Sequence, residues 1–181
     1  MSRLALAVAA ACAAALSLAA GGCSSEQTKL SVTEGIPVTL GNLRYTVQIS
    51  RYLNSSDPED QAYLRGAPRL PREDNYLGVF LQIQNESSTT KQSLPTRYEV
   101  TDTEHTTYKP VPLDNDFSLP LSGDVAAGRS VPNPESAAAT GPIQGSMLLF
   151  VIHQSSAENR PLTLKIPAAA NGTPARIQLD I

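Results

Sequence analysis

The chain is poor in the residue types that carry most binding and catalytic chemistry. It contains no tryptophan, two histidines and two cysteines, and aromatic residues make up 5% of its 181 residues. His105 and His153 lie far apart and neither belongs to a His/Cys spacing, whereas a zinc site takes three or four ligands. Because few rings are available to stack on sugars, a glycoside-cleaving pair of carboxylates is only a minor alternative. The composition therefore indicates no metal ion and no cofactor.

Helical and nucleotide-binding patterns are missing as well. No window repeats its apolar residues at the helical period, and 14 prolines interrupt the chain. There is no Gly-x-Ser-x-Gly elbow of a hydrolase and no glycine-rich loop that would hold a phosphate. The densest basic cluster, Arg65, Arg69 and Arg72, is matched by four carboxylates between positions 59 and 74. Since nucleic-acid binding requires an excess of positive charge, the sequence argues against that class of partner.

The N-terminus has the order of a secretory signal. Arg3 precedes an apolar run over residues 4–20 that is mostly alanine and is broken only by Ser17. A helix of these 17 residues would be about 25 Å long, shorter than the roughly 30 Å hydrocarbon core of a bilayer. These features predict a cleaved signal peptide and not a permanent membrane span.

The segment Ala20-Gly21-Gly22-Cys23 resembles the lipobox of bacterial lipoproteins, although Ala20 stands where leucine is usual. The resemblance implies cleavage before Cys23 and lipidation of that cysteine, which would hold the protein at the extracytoplasmic face of the cell membrane. The alternative is an ordinary secretory signal, cut at an A-x-A-like site that Ala19 and Ala20 would supply.

Cleavage would divide the chain into a signal peptide (residues 1–22), a lipidated cysteine with a flexible tether (residues 23–35) and a globular domain (residues 36–181). Cys12 leaves with the signal, so Cys23 remains as the single cysteine and no intramolecular disulfide can form. Once Arg3 has left, 13 basic and 17 acidic residues give a net charge of −4. The 12 residues that follow Cys23, a largely polar segment, would span roughly 20 Å root mean square and at most about 40 Å.

From Ile36 onward, apolar and polar residues alternate with period two, which predicts strands with one face on a core. Residues 36–40 and 43–53 are expected to form a hairpin around Gly41-Asn42. Its inward residues would be Leu43, Tyr45, Val47, Ile49 and Leu53. Residues 76–84 predict the central strand, with one apolar face and a second face that carries Tyr76 and Phe80.

Further strands are predicted over residues 97–102, 106–109, 116–121, 147–153, 162–166 and 175–181, and one helical turn over residues 135–140. Many short strands separated by turn residues indicate an all-β domain, an immunoglobulin-like antiparallel β-sandwich.

Two connections, residues 54–75 and 123–145, are too long for simple turns. Because loops on a rigid scaffold carry most binding residues, they are the expected binding surface. Tyr63 and Leu64 are apolar enough to pin the first loop to the domain. The candidate binding residues are Asp57, Tyr63, Leu64, Arg65, Arg69 and Arg72.

Two acidic segments offer oxygen atoms without a recognisable ion site. Asp114-Asn115-Asp116, with Asp124 nearby, would be the calcium alternative, but the segment lacks the glycine and the closing glutamate of an EF-hand. Residues 57–60 are also acidic and are expected to form a solvated turn.

Residues 76–85, with Gly128 and the strands over 147–152 and 159–164, resemble the immunoglobulin-like domains of actinobacterial secreted lipoproteins, a group of unknown function that includes the DUF4352 type. The resemblance covers residues 35–166 and implies two packed antiparallel sheets, with no catalytic residues to carry over. We expect a non-enzymatic module that binds an envelope protein or a cell-wall ligand through its loops. The alternatives are a structural or chaperone-like accessory protein of an envelope complex and, less favoured, a hydrolase.

Overall fold

The computed structural model describes residues 30–168 and 172–181. This part of the chain contains twelve strands and three short helices. The strands are β1 Ser31–Thr33, β2 Val38–Leu40, β3 Leu43–Leu53, β4 Asp74–Asn85, β5 Gln92–Ser93, β6 Glu99–Thr101, β7 Thr107–Tyr108, β8 Asp124–Val125, β9 Ser130–Val131, β10 Ser146–His153, β11 Thr163–Ile166 and β12 Ala175–Gln178. The helices are α1 Pro58–Gln61, α2 Ala137–Thr140 and α3 Gln154–Glu158.

Two sheets pack face to face. The first has the strand order β1-β12-β11-β6-β7, and the second has the order β10-β4-β3-β2 with β9 paired to β4. All strand pairs in the described residues are antiparallel except β1 with β12. Side chains of both inner faces share one core, which includes Val79 and Phe150 from the second sheet and Leu164 and Ile177 from the first. The prediction of an all-β immunoglobulin-like sandwich is therefore confirmed.

The predicted central strand is confirmed as β4, which lies between β3 and β10. Its inner face carries the expected apolar residues, Leu77, Val79, Leu81 and Ile83. The first half of its outer face is buried as well, since Tyr76 and Phe80 belong to a second apolar cluster on the far side of the sheet, whereas Gln82 and Gln84 further along that face are exposed. The strand is therefore apolar on both faces only where the second cluster covers it.

The hairpin of β2 and β3 also forms as predicted, but the inward assignments of Ile49 and Leu53 are wrong. A β-bulge shifts the register of β3 against β4 between Val47 and Ile49, so one extra residue is inserted. Beyond the bulge, the side chains exchange faces. Ser50 faces the main core, Ile49 is exposed, and Leu53 joins the second cluster on the outer face.

The last residues of the expected tether belong to the domain. Residues 31–33 form β1, which pairs in parallel with β12, and the backbone N–H of Arg176 donates to the Leu30 carbonyl at 2.7 Å. The sequence interpretation of residues 30–35 as free tether is therefore wrong. The cause is that β12 offers an open strand edge, and the polar side chains of Ser31 and Thr33 face solvent there without cost.

The remaining strand predictions are confirmed over residues 97–102, 106–109, 147–153, 162–166 and 175–181, and the predicted helical turn appears as α2. Residues 116–121 do not form a strand. The Asn115 side chain accepts a hydrogen bond from the Phe117 N–H at 3.0 Å and closes a turn there. Within residues 30–168 and 172–181, no helix has the length and apolar character needed to cross a membrane.

Candidate functional site

The outer face of the second sheet carries an apolar cluster that the first long loop covers. Tyr63 is the centre of the cover, because its ring packs edge-on against Phe80 of β4 at 5.2 Å between ring centroids. Only 4% of Tyr63 is exposed, and Leu64 packs beside it. Gly78 of β4 makes room, since a Cβ there would lie 3.0 Å from the side chain of Leu53. The two apolar residues therefore pin the loop to the domain, as expected.

Polar contacts fix the same loop at both of its ends. Asp60 forms an ion pair with Arg51 of β3, and its second oxygen accepts the Asn54 N–H at 2.8 Å. Only 2% of Asp60 is exposed, so the expectation that residues 57–60 form a solvated turn is wrong for this residue. At the other end, the Tyr76 hydroxyl donates to the Pro68 carbonyl. Burial raises the pKa of Tyr76, so this phenol is a neutral donor at physiological pH.

The chain after β7 and the second long loop complete the wall opposite Tyr63. The amide of Asn115 donates to the carbonyls of Tyr63 and Arg65, both at 3.0 Å. This positions Phe117, whose ring contacts that of Tyr63 at 4.7 Å between centroids. Gly145 then brings the second loop back to β4, with its Cα so close that a Cβ would lie 3.1 Å from the Leu81 nitrogen.

Between these walls lies a groove with a volume of about 460 Å³. It is lined by residues of both long loops, of β3 and of the chain around Phe117, mostly by apolar side chains: Arg51, Glu59, Ala62, Tyr63, Phe117, Pro142 and Ile143. Its charged members are Arg51, which is engaged with Asp60, and the exposed Glu59. We call this cavity the loop groove. It has the size and the apolar lining that binding clefts share.

The structure brings only some of the predicted binding residues to the loop groove. Tyr63 lines it, and the Asp57 side chain caps α1 by accepting the Glu59 N–H at 3.0 Å. The Leu64 side chain packs against the apolar cluster beneath the first loop, and the Arg65 carbonyl accepts a hydrogen bond from the Asn115 amide. The side chains of Arg65, Arg69 and Arg72 are exposed and do not line the groove.

The sequence interpretation missed Arg51 and Phe117 as groove residues, whereas Pro142 and Ile143 belong to the second long loop, which was predicted as a binding surface without these two residues being named. The signal in the sequence that could have indicated Phe117 is its position directly after the acidic segment of residues 114–116, where an aromatic side chain is unusual. Its partner Tyr63 is more than fifty residues away, so nothing in the local pattern joins them.

The acidic residues of the calcium alternative do not converge on a cavity. Asp114, Asp116 and Asp124 line neither the loop groove nor four other cavities of the described residues, and the same holds for Glu135 of the second loop. Asp124 pairs with Lys91, which together with a hydrogen bond from Ser93 holds the pKa of Asp124 below its usual range. Over residues 30–168 and 172–181, no group of three or more His, Cys, Asp or Glu side chains has the arrangement of a metal site. Cys23, the predicted lipidation site, lies outside the described residues.

The chain matches no protein-family model and no curated protein. Three solved structures have a similar backbone. They are the yjhA protein of Bacillus subtilis (10% identity, TM-score 0.47, 82% of this chain and 98% of that one), an uncharacterized beta-sandwich protein of Clostridium difficile (11%, 0.46, 83% and 93%) and a functionally unknown protein of Listeria monocytogenes (10%, 0.49, 82% and 84%).

Proposed function

We propose that this chain is a lipid-anchored, extracytoplasmic binding module without enzymatic activity, which holds a protein partner in the loop groove. The observation that carries the proposal is the convergence of both long loops on one apolar groove over a rigid sheet. The lipid anchor is supported by the signal-like N-terminus and by the lipobox resemblance at Cys23.

The groove fits a partner segment that presents an apolar side chain between basic residues. Tyr63, Phe117 and Ile143 provide an apolar, partly aromatic lining, which favours an aliphatic or aromatic anchor. Exposed acidic side chains belong to the segments that form the groove, since Glu59 lines it, Asp116 precedes Phe117 and Glu135 lies just before α2, while Arg65 of the first loop is an exposed basic residue nearby. Opposite charges on the two partners speed association and fix orientation.

The position of the groove suits a partner that approaches from the side away from the membrane. The chain enters the sandwich at Leu30, which accepts the Arg176 N–H at the start of β12, and Pro167 and Ala168, which follow β11, line one cavity with the turn of the β2–β3 hairpin. Arg51 lies eight residues beyond Leu43 on β3, which corresponds to about 25 Å along the strand. A tether attached at Cys23 would therefore leave the groove accessible.

Peptide selection on the full lipidated chain tests this function. A display library of short peptides should yield sequences in which an aromatic or aliphatic residue is flanked by lysine or arginine. Ile143→Ser and Glu59→Lys should each weaken their binding about tenfold or more, because the first removes an anchor contact and the second repels the basic flanks.

Two matched variants separate the groove from general surface effects. Ile36→Ser changes an isoleucine that is 51% exposed and does not line the groove. Glu104→Lys reverses an exposed charge in the turn after β6. Both should bind the selected peptides like the unchanged protein. Peptides without basic flanks, or equal losses in all four variants, would contradict the proposal.

A further inference from the structure

The end of the sandwich at which the chain enters is built from several turns. The Glu86 N–H donates to the carbonyl of Asn42 in the hairpin turn at 2.9 Å, and the Gly128 N–H donates to the Ser87 carbonyl at 2.9 Å. A cavity of about 350 Å³ joins the hairpin turn to residues 92–97 and 167–168. Leu30, the first described residue, pairs with Arg176 beside them. We call this region, residues 41–44, 86–99, 123–129, 165–168 and 172–176, the tether end.

A buried asparagine makes the tether end rigid. Asn85 is 1% exposed, and its amide nitrogen donates to the carbonyls of Thr90, Val125 and Ala126 at 2.8, 2.9 and 3.1 Å. The turns after β4 and after β8 are therefore held in one arrangement, so the charges that they carry have fixed positions.

Charge is separated between the tether end and the rest of the domain. The tether end carries six basic and three acidic residues: Arg44, Lys91, Arg97, Arg129, Lys165 and Arg176 against Glu86, Glu99 and Asp124. All three acids are paired, Glu86 with Arg44, Asp124 with Lys91 and Glu99 with Lys165. The other described residues contain six basic and thirteen acidic side chains, a net charge of −7 against +3 at the tether end.

The excess positive charge rests on three exposed arginines. Within residues 30–168 and 172–181, no carboxylate lies within ion-pair distance of Arg97, Arg129 or Arg176. Arg176 lies next to Lys165 in the register of β11 and β12, and Leu30 accepts the hydrogen bond from its backbone. Arg176 therefore lies at the point where the chain enters the domain, Arg97 lines a cavity together with Lys165, and the Arg129 carbonyl accepts the N–H of Asn85.

We propose that the tether end is a docking surface for anionic phospholipids, which stands the domain on the membrane with the loop groove outward. The proposal rests on the lipid anchor at Cys23 under the proposed function. Because β1 belongs to the sandwich, Cys23 and Leu30 are seven residues apart, at most about 25 Å. The anchor thus holds the three arginines within reach of the headgroups, while the acidic remainder of the domain is repelled from them.

The effect should be large enough to orient the domain. One basic side chain near an anionic surface favours binding about fivefold, so three unpaired ones favour the docked orientation by roughly a hundredfold. Screening shortens the range of this attraction from about 10 Å at 0.1 M salt to about 3 Å at 1 M salt. The docked orientation should therefore be lost at high salt, whereas an acyl anchor should remain.

Fluorescence quenching on the full chain, purified from bacterial cells that express it, tests the docking. A fluorophore is attached through Thr89→Cys at the tether end or through Thr103→Cys in the exposed turn after β6. The protein is reconstituted in vesicles of phosphatidylcholine alone or mixed with phosphatidylglycerol, each containing a headgroup-level quencher. We expect stronger quenching at position 89 than at position 103 in the anionic vesicles, and the difference should disappear at high salt.

Two charge-reversal variants with equal changes in net charge provide the control. Replacement of Arg97, Arg129 and Arg176 by glutamate should abolish the difference between the two positions. Replacement of Arg65, Arg69 and Arg72 by glutamate, on the first long loop, should preserve it. Equal quenching at both positions in anionic vesicles, or equal effects of the two variants, would overturn the docking.

Flotation with phosphatidylcholine vesicles reports the anchor separately. If the chain floats with these vesicles but positions 89 and 103 are quenched equally in anionic vesicles, the anchor is present and the docking is contradicted. A chain that does not float with them, but shows the difference in anionic vesicles, supports the docking and contradicts the anchor.

Discussion

The carboxylate of Glu34 holds Ser50 through two hydrogen bonds. It accepts the Ser50 N–H at 2.9 Å and also the Ser50 hydroxyl. The same carboxylate accepts the N–H of Asp180 at 3.1 Å. Ser50 lies just beyond the bulge of β3 and is 4% exposed. One side chain that directly follows β1 therefore joins the chain entrance, the second sheet and the C-terminal segment.

Glu34→Gln should weaken this junction. A glutamine amide offers one acceptor oxygen where the carboxylate offers two, and its NH₂ group would face the donors of Ser50. We expect a loss of about 1–3 kcal/mol in the free energy of unfolding, which urea denaturation measures. Hydrogen exchange of the Arg176 amide, which bonds to Leu30, should also accelerate as β1 loosens. Glu104→Gln, at an exposed position, is the control, and an equal loss in both variants would contradict the role of Glu34.

Tyr63 should contribute to stability mainly through its ring. Tyr63→Ala removes the aromatic contacts with Phe80 and Phe117 and opens the outer cluster. Substitutions of this kind cost about 3–5 kcal/mol, measured by denaturant unfolding. Tyr63→Phe keeps the ring and should change stability by less than about 1 kcal/mol. A small effect of Tyr63→Ala would show that the first loop does not depend on this contact.

Asp102 should make stability depend on pH in the acid range. Burial by itself raises the pKa of Asp102, but hydrogen bonds from Ser156, Thr106 and Glu104 outweigh it and hold the pKa below its usual value. A carboxyl group with a lowered pKa stabilises the fold above its unfolded pKa of about 3.9, and the contribution is lost as the pH falls through the folded pKa.

Asp102→Asn should therefore be less stable than the unchanged protein at neutral pH by about 1–3 kcal/mol. The difference should begin to narrow as the pH falls below about 4, where the carboxyl group of the unfolded chain takes up its proton, and should be lost as the pH falls through the lower pKa of the folded protein. Urea unfolding at several pH values measures this change. Asp114→Asn, at an exposed position, should show no such trend, and a difference for Asp102→Asn that stays constant down to acid pH would rule out the linkage.

The strand pattern was predictable because alternation is a local property. Tyr45 and Val47 were placed inward from sequence, and they are buried. Ile49 was placed wrongly because a single inserted residue reverses every later face, and period-two reasoning has no signal for a bulge. The strand β1 was missed for a related reason, since its three residues are polar and acquire their structure from β12, far along the chain.

The loop groove could be predicted only in part. The sequence pointed to the long loops and to Tyr63, because long connections with apolar residues on a β-scaffold are unusual. It could not bring Tyr63 to Phe117, since that contact depends on the amide of Asn115 and on the fold of both chain segments. It also placed Arg69 and Arg72 among the binding residues, whereas their side chains lie away from the groove.

Lipid attachment at Cys23 is the most direct test of the account, because the proposed location and orientation both depend on it. Cells that express the chain are grown with labelled fatty acid, and the label on the protein is measured for the unchanged chain and for two cysteine variants. Cys23→Ala should lose the label, whereas Cys12→Ala, within the predicted signal, should keep it. Absence of label from the unchanged chain, or equal label in Cys23→Ala, would contradict the account.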